Sequence, residues 1–254
     1  MDEVESLGAI GLAAREGLRQ ALPSLLAEQF GAARARVKVL PNGPPVDYPV
    51  MFRVVGDDLA QVRQYADQVK AVTLELGGKS ANIVFADSDL EKAAATAPYA
   101  VFENAGQDCC ARSRILVERS AYDRFMELLE PAVKGVVVGA PGDAATEMGP
   151  LVSKAHFDSV TAYQPDDTDV AFRGTAPDGP GYWFAPTVVT PKSRDDRRVT
   201  EEIFGPVLSV LTFRTPAEAI AKANNTPYGL SAGIWSDKGS RILAVADKLR
   251  AGVV

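Results

Sequence analysis

Apolar positions along this chain recur in two rhythms, a helical one and a shorter alternating one, and the switches between them mark its elements. Residues 5–30 carry Leu7, Ile10, Leu12, Leu18, Leu22, Leu25, Leu26 and Phe30 at broadly helical spacing, with Pro23 at a boundary or in the first turn of a second helix. Residues 36–40 and 49–55 read as strands on either side of the turn Pro41-Asn42-Gly43-Pro44-Pro45. Helical spacing returns over 57–71 through Leu59, Val62, Tyr65, Ala66 and Val69, behind the capping residue Asp57.

Beyond Thr73 the two rhythms alternate. Residues 81–86 predict a buried strand, 88–100 a helix that begins near Asp87 or Ser88, 113–118 a strand, and 120–135 an amphipathic helix through Phe125, Leu128, Leu129 and Val133. Val207 to Phe213 is a further strand, 216–224 a helix, and Ala232 to Trp235 a strand reached through a turn over 224–231. Pro-Gly and Gly-Pro pairs at 141, 149, 179–181 and 205 mark loops. Strands alternating with helices predict an α/β domain with a largely parallel sheet over 73–254, preceded by a small α+β segment over 1–72.

The composition narrows the class. Among 254 residues, 46% are apolar and 24% charged, and the net charge is −6, so the chain can bury a core. No basic stripe gathers Lys and Arg, which argues against nucleic acid as a partner. No segment reaches the roughly 18 consecutive apolar residues of a membrane helix, and the first thirty residues lack a secretory pattern. The two cysteines, Cys109 and Cys110, are adjacent and cannot staple distant segments; with no metal-ligand spacing, they suit a reducing, cytoplasmic setting. His156 is the only histidine and reads as a partly exposed helix residue rather than the base of a nucleophile pair.

Two segments carry candidate chemistry: Glu75-Leu76-Gly77-Gly78-Lys79-Ser80, with a carboxylate, and Phe102-Glu103-Asn104-Ala105-Gly106-Gln107-Asp108-Cys109-Cys110-Ala111, with a thiol. A thiol can add to a carbonyl carbon and a carboxylate can activate water against the acyl product. The glycines permit tight turns and close approach of backbone to substrate or nicotinamide, and an amide near Cys109 can donate to a developing oxyanion. In isolation a Cys-Cys pair is ordinarily buried structure, and Glu-Leu-Gly-Gly a strand end with a turn. A third segment, Glu201-Glu202-Ile203-Phe204-Gly205-Pro206-Val207, reads either as solvated acids at a helix start beside a core phenylalanine or as part of the same site.

Taken together and in this order, the three segments resemble the active-site signatures of the aldehyde dehydrogenase superfamily, over residues 73–254. The resemblance implies Cys109 as nucleophile, Cys110 as its nonreactive neighbour, Glu75 as general base, and Glu202, Phe204 and Leu76 as contacts to NAD or NADP. Glu202 would accept from ribose hydroxyls, as a carboxylate without a competing donor suits a diol. It implies oxidation of a small aldehyde substrate to an acid through a thiohemiacetal and a thioester, and assembly as a homo-oligomer.

The segment before Thr73 contains no phosphate-cradling glycine loop of that family, and the chain stops at Val254, short of the family's final loops. About residues 35–72, through Leu40-Pro41-Asn42-Gly43-Pro44-Pro45 and Pro49-Val50-Met51-Phe52-Arg53-Val54, instead resemble part of the porter domain of resistance-nodulation-division efflux pumps. The expectation is a fused and truncated dehydrogenase unit. A cofactor-independent, esterase-like hydrolase using Cys109 and Glu75, and a noncatalytic remnant or interaction protein, stand as alternatives.

Overall fold

The computed structural model describes residues 34–38, 51–55, 77–164 and 166–254. The helices expected over 5–30 and 57–71, the turn at 41–45, and Glu75 and Leu76 lie outside the described residues. The chain divides into two compact units, residues 1–76 and 77–254. In the first, strands β1 (Arg34–Lys38) and β2 (Met51–Val55) pair antiparallel, with Arg34 opposite Val55 and Lys38 opposite Met51. Each begins two residues away from the position that the alternation suggested.

The second unit is a doubly covered sheet of six strands. Its elements are β3 (Ala81–Val84), α1 (Leu90–Phe102), β4 (Arg114–Glu118), α2 (Tyr122–Lys134), α3 (Lys154–Tyr163), β5 (Val170–Arg173), β6 (Thr187–Val189), α4 (Arg197–Thr200), β7 (Val207–Phe213), α5 (Pro216–Ala223), β8 (Ala232–Trp235) and α6 (Gly239–Ala246). The strands lie in the order β5-β6-β7-β4-β3-β8, and every neighbouring pair is parallel except β5 with β6.

The period-2 alternation of the strands feeds two cores. On β4, Ile115 and Val117 join one cluster with Ala97 and Val101 of α1 and Phe125, Leu129 and Val133 of α2. Leu116, between them, points to the other cluster, with Ala219 and Ala223 of α5 and Val245 of α6. On α2 the apolar positions fall four apart, which makes a single stripe, and each such side chain taken from water contributes about 1.5–3 kcal/mol.

Helix ends follow local hydrogen-bond chemistry. Helix α1 starts after Asp89, whose carboxylate accepts from the Lys92 amide at 2.9 Å, rather than near Asp87 or Ser88. Ser88 is already committed, its hydroxyl donating to the Phe85 carbonyl at 2.7 Å, and Asp87 is paired with Arg241 at 2.8 Å. Thr215 caps α5 through the Glu218 amide, with Pro216 at the first helical position. At the other end of α5 the buried Arg114 guanidinium donates to the Lys222 and Ala223 carbonyls at 3.0 and 2.7 Å, and to the Lys79 carbonyl at 2.8 Å. A cation thus satisfies carbonyls that the helix leaves without partners.

Candidate active site

Because β3, β4, β7 and β8 run parallel and adjacent, the segments that lead into them meet at one edge of the sheet, the edge of the strands' amino ends. Those segments are Gly77 to Ser80, Glu103 to Ser113, Glu201 to Pro206 and Asn224 to Ser231. The described part of the first pattern, Gly77 to Ser80, therefore arrives at the same place as the other two. Open parallel sheets more commonly place ligands beyond the carboxyl ends of their strands.

The patterns touch through backbone. The Gly78 amide donates to Glu202 Oε1 at 2.8 Å, and a Cβ at Gly78 would lie 2.1 Å from the Cys109 carbonyl oxygen. Only glycine admits that approach. Gly106 has φ +70°, and a Cβ there would meet the Gly205 carbonyl carbon at 2.4 Å. The close approach expected of these glycines toward a ligand is, for Gly78 and Gly106, an approach of one pattern to another.

The loop that carries the thiol is wound in an uncommon sense. Asn104, Ala105 and Gly106 all have positive φ, at 52°, 58° and 70°. Left-handed backbone costs a residue with a Cβ about 1–2 kcal/mol. Asn104 and Gln107 offset it by exchanging bonds: Asn104 Nδ2 donates to the Gln107 carbonyl and Gln107 Nε2 to the Asn104 carbonyl, both at 2.9 Å. Gln107 Oε1 also accepts from the Val152 amide at 2.9 Å, which ties the loop to the segment before α3.

Cys109 and Cys110 follow in a tight turn, with Cys109 half-buried, Cys110 exposed and no disulfide. The Cys110 amide donates to Asp108 Oδ1 at 3.0 Å and is engaged within the turn. Ser231, just before β8, braces the turn, donating to the Cys110 carbonyl at 3.1 Å and lying 3.0 Å from the Ser80 hydroxyl.

The adjacent acids part company. Glu201 is paired with Arg197 at 3.0 Å and accepts from the Tyr163 hydroxyl at 2.9 Å; the Arg197 hydrogen bonds hold its carboxyl below the usual range. Glu202 turns to Gly78, and burial pushes its carboxyl up. Both follow α4 rather than starting a helix, and Glu202 is not a solvated acid. Phe204 is 38% exposed with φ 58°, so it is not core. Its carbonyl accepts from His156 Nε2 at 2.6 Å, which places His156 on α3 as a strut of this loop.

Sequence reasoning passed over Lys79. Its side chain is 1% exposed, and Nζ has no hydrogen-bond partner among the described residues. Burial, with Arg114 adding repulsion, lowers the ammonium pKa to about 7, against attraction from Glu202, Glu201 and Asp196. The position within Gly-Gly-Lys-Ser was visible, but the burial comes from elements far along the chain.

A thiol on a braced turn, a half-buried carboxylate and an exposed aromatic ring thus stand together at the amino edge of the parallel sheet of an α/β unit. The sequence model of the aldehyde dehydrogenase family matches residues 53–254, and the chain belongs to that family. The match begins within the stretch that resembled the porter domain, so residues 53–72 align with the dehydrogenase family. A 2-hydroxymuconic semialdehyde dehydrogenase of Pseudomonas sp. (strain CF600) is 40% identical over 204 residues, which are 77% of this chain and 42% of that protein. A mitochondrial aldehyde dehydrogenase of Mesocricetus auratus is 38% identical over 77% of this chain and 40% of its own length. The crystal structure of betaine aldehyde dehydrogenase from Staphylococcus aureus with NAD+ superposes with a TM-score of 0.72 at 39% identity, covering 77% of this chain and 40% of that one. The chain thus spans about two fifths of the length of the relatives it matches.

Proposed function

We propose that this chain carries the thiol half of an NAD(P)-dependent aldehyde oxidation, with Cys109 as nucleophile and Glu75 as the base that activates water. The observation that carries the reading is the meeting of Gly78, Cys109 and Glu202, one residue from each pattern, at a single edge of the sheet. The Cys109 thiolate adds to the aldehyde carbon, and the carbonyl oxygen takes the charge of a thiohemiacetal. NAD(P), when bound, supplies the acceptor for the hydride that this carbon loses as the thioester forms. Glu75 takes a proton from water as it attacks the thioester, and Cys109 leaves as thiolate with release of the acid.

The residues present fit the nicotinamide-ribose end of such a cofactor. Glu202 is held through one oxygen by the Gly78 amide, which leaves its carboxylate to serve as a diol acceptor, and Phe204 offers an exposed ring; Leu76, outside the described residues, is kept as a third contact only in the proposal. Relatives solved with NAD+ support the nucleotide assignment. Among the described residues no helix is long and apolar enough to cross a membrane, and a cytoplasmic setting stays part of the proposal. A homo-oligomer is the proposed assembly.

Calorimetry with NAD and NADP, followed by nucleotide reduction with a short aldehyde, tests the proposal. The expected outcome is binding, with hydride transfer abolished in Cys109→Ala but binding retained. Glu202→Gln is expected to weaken binding about 10- to 100-fold, the value of a charged hydrogen bond. Nucleotide bound equally by Glu202→Gln and the parent chain would sink the assignment of that carboxylate.

A further inference from the structure

We propose that Asp108, Cys109 and Cys110 form a binding site for a thiophilic divalent cation of the zinc class, and that its occupancy closes the thiol to substrate. The ligand atoms of the three side chains, two sulfurs and a carboxylate oxygen, all lie within 4.8 Å of one another. The Cys109 and Cys110 sulfurs are 4.0 Å apart. Two thiolates bound tetrahedrally to Zn2+ at about 2.3 Å stand about 3.8 Å from each other, so the pair is already close to a chelating separation. Among the described residues, this is the one group of metal-ligating side chains gathered so closely.

The turn explains why the geometry is held. Asp108 Oδ1 accepts from the Cys110 amide at 3.0 Å, and the Ala111 amide donates to the Asp108 carbonyl at 3.1 Å, so the three residues form a closed loop with both thiols on it. Ser231, just before β8, fixes the same turn through the Cys110 carbonyl. A cation entering such a site pays little ordering entropy. Cys110 and Asp108 are exposed, which gives an ion a path from solvent. The donor set of two soft sulfurs and one hard oxygen selects Zn2+ or Cd2+ over Mg2+ and Ca2+, with water completing the fourth position.

The step balances without any redox partner. Each thiol gives its proton to solvent as its sulfur donates a lone pair to the cation, and no electron changes hands. Donation to the cation draws charge from the Cys109 sulfur and fixes its position, which lowers its reactivity toward a carbonyl carbon. The binding site stands on geometry alone; its inhibitory consequence rests on Cys109 being the nucleophile proposed above.

Titration of the reduced full-length chain with Zn2+ alone, and with Co2+ as a spectroscopic stand-in, tests the site. The expected result is one ion per chain, proton release on binding, a cobalt–thiolate charge-transfer band and protection of both thiols from alkylation. Cys110→Ser should lose the tight site and most of the band, while Asp108→Asn should keep the band with weaker affinity, circular dichroism confirming that both are folded. Binding by Cys110→Ser equal to that of the parent, or Cys109 alkylation unaffected by Zn2+, overturns the proposal. Acylation of Cys109 by an activated ester in metal-free buffer separates the two readings. A chain that binds Zn2+ but is never acylated keeps the metal site and loses the nucleophile, and one that is acylated but binds no Zn2+ does the reverse.

Discussion

The two edges of the six-stranded sheet are made from the same strands but held by different physics. At the carboxyl edge, charges are answered near the surface: Arg241 pairs with Asp87 at 2.8 Å and lies over the Phe85 ring at 4.7 Å, and Glu118 accepts from the Ala86 amide at 2.9 Å. At the amino edge, Lys79 is sealed in without a hydrogen-bond partner among the described residues, three successive residues are left-handed, and backbones meet at distances that only glycine allows. The first arrangement secures an end of a domain. The second carries backbone strain of the kind that gathers where a fold serves chemistry.

That contrast can be broken at its strongest point by Gly78→Ala. The added methyl group would sit on the Cys109 carbonyl, backbone against side chain with no flexible end to yield, and a loss of about 3 kcal/mol is expected in denaturant unfolding. Unfolding with unchanged midpoint would remove the claim that glycine contacts lock the patterns together.

Lys79→Met should act in the opposite direction, stabilising the chain below pH 7 by removing a buried ammonium that has no hydrogen-bond partner among the described residues. Its folded pKa, about 7, lies below the ordinary lysine value of 10.5, so between these values the unfolded chain binds the extra proton. Stability of the parent should therefore rise with pH from about 7 to about 10.5 through this group, with the cost of its charge fully present below pH 7. The difference between Lys79→Met and the parent, measured by urea unfolding from pH 6 to pH 9.5, should shrink across that window. A constant difference would show that the amine is not the source.

Asn104→Ala removes both the tolerance of asparagine for left-handed backbone and the bond to the Gln107 carbonyl, and should cost about 1–2 kcal/mol. Thiol alkylation of the same variant should change in rate, since the loop to Cys109 loses its brace. Arg241→Ala, at the opposite edge, is the smallest of these effects. Loss of one partly exposed ion pair and one ring contact should cost about 0.5–1 kcal/mol and leave Cys109 alkylation unchanged. An alkylation rate altered as much by Arg241→Ala as by Asn104→Ala would erase the distinction between the edges.

Much of the fold was legible because its central strands and the α2 stripe bury residues at regular spacing. Val207 to Phe213 and the set Phe125, Leu129 and Val133 announce their elements without help from neighbours. Other elements left weak traces. Helix α3 buries only Val160 fully and α6 only Val245, while β5 and β6 span four and three residues, so their existence depends on partners distant in the chain. The three site patterns could be read as sequence, yet the separation of Glu201 from Glu202 could not, because it is made by Arg197 and Tyr163 on one side and Gly78 on the other. Ala105 in left-handed backbone has no local signature at all.

The gathering of the loops that carry Gly78, Cys109 and Glu202 at one end of the strands also makes the opposite end a place for attachments. The turn at Ser236 to Lys238, just after β8, lies on the far side of a strand four residues long, roughly 13 Å of sheet from Ser231 and the turn it braces. A fluorophore or immobilisation tag inserted there reports on the molecule without standing in the way of whatever approaches Cys109.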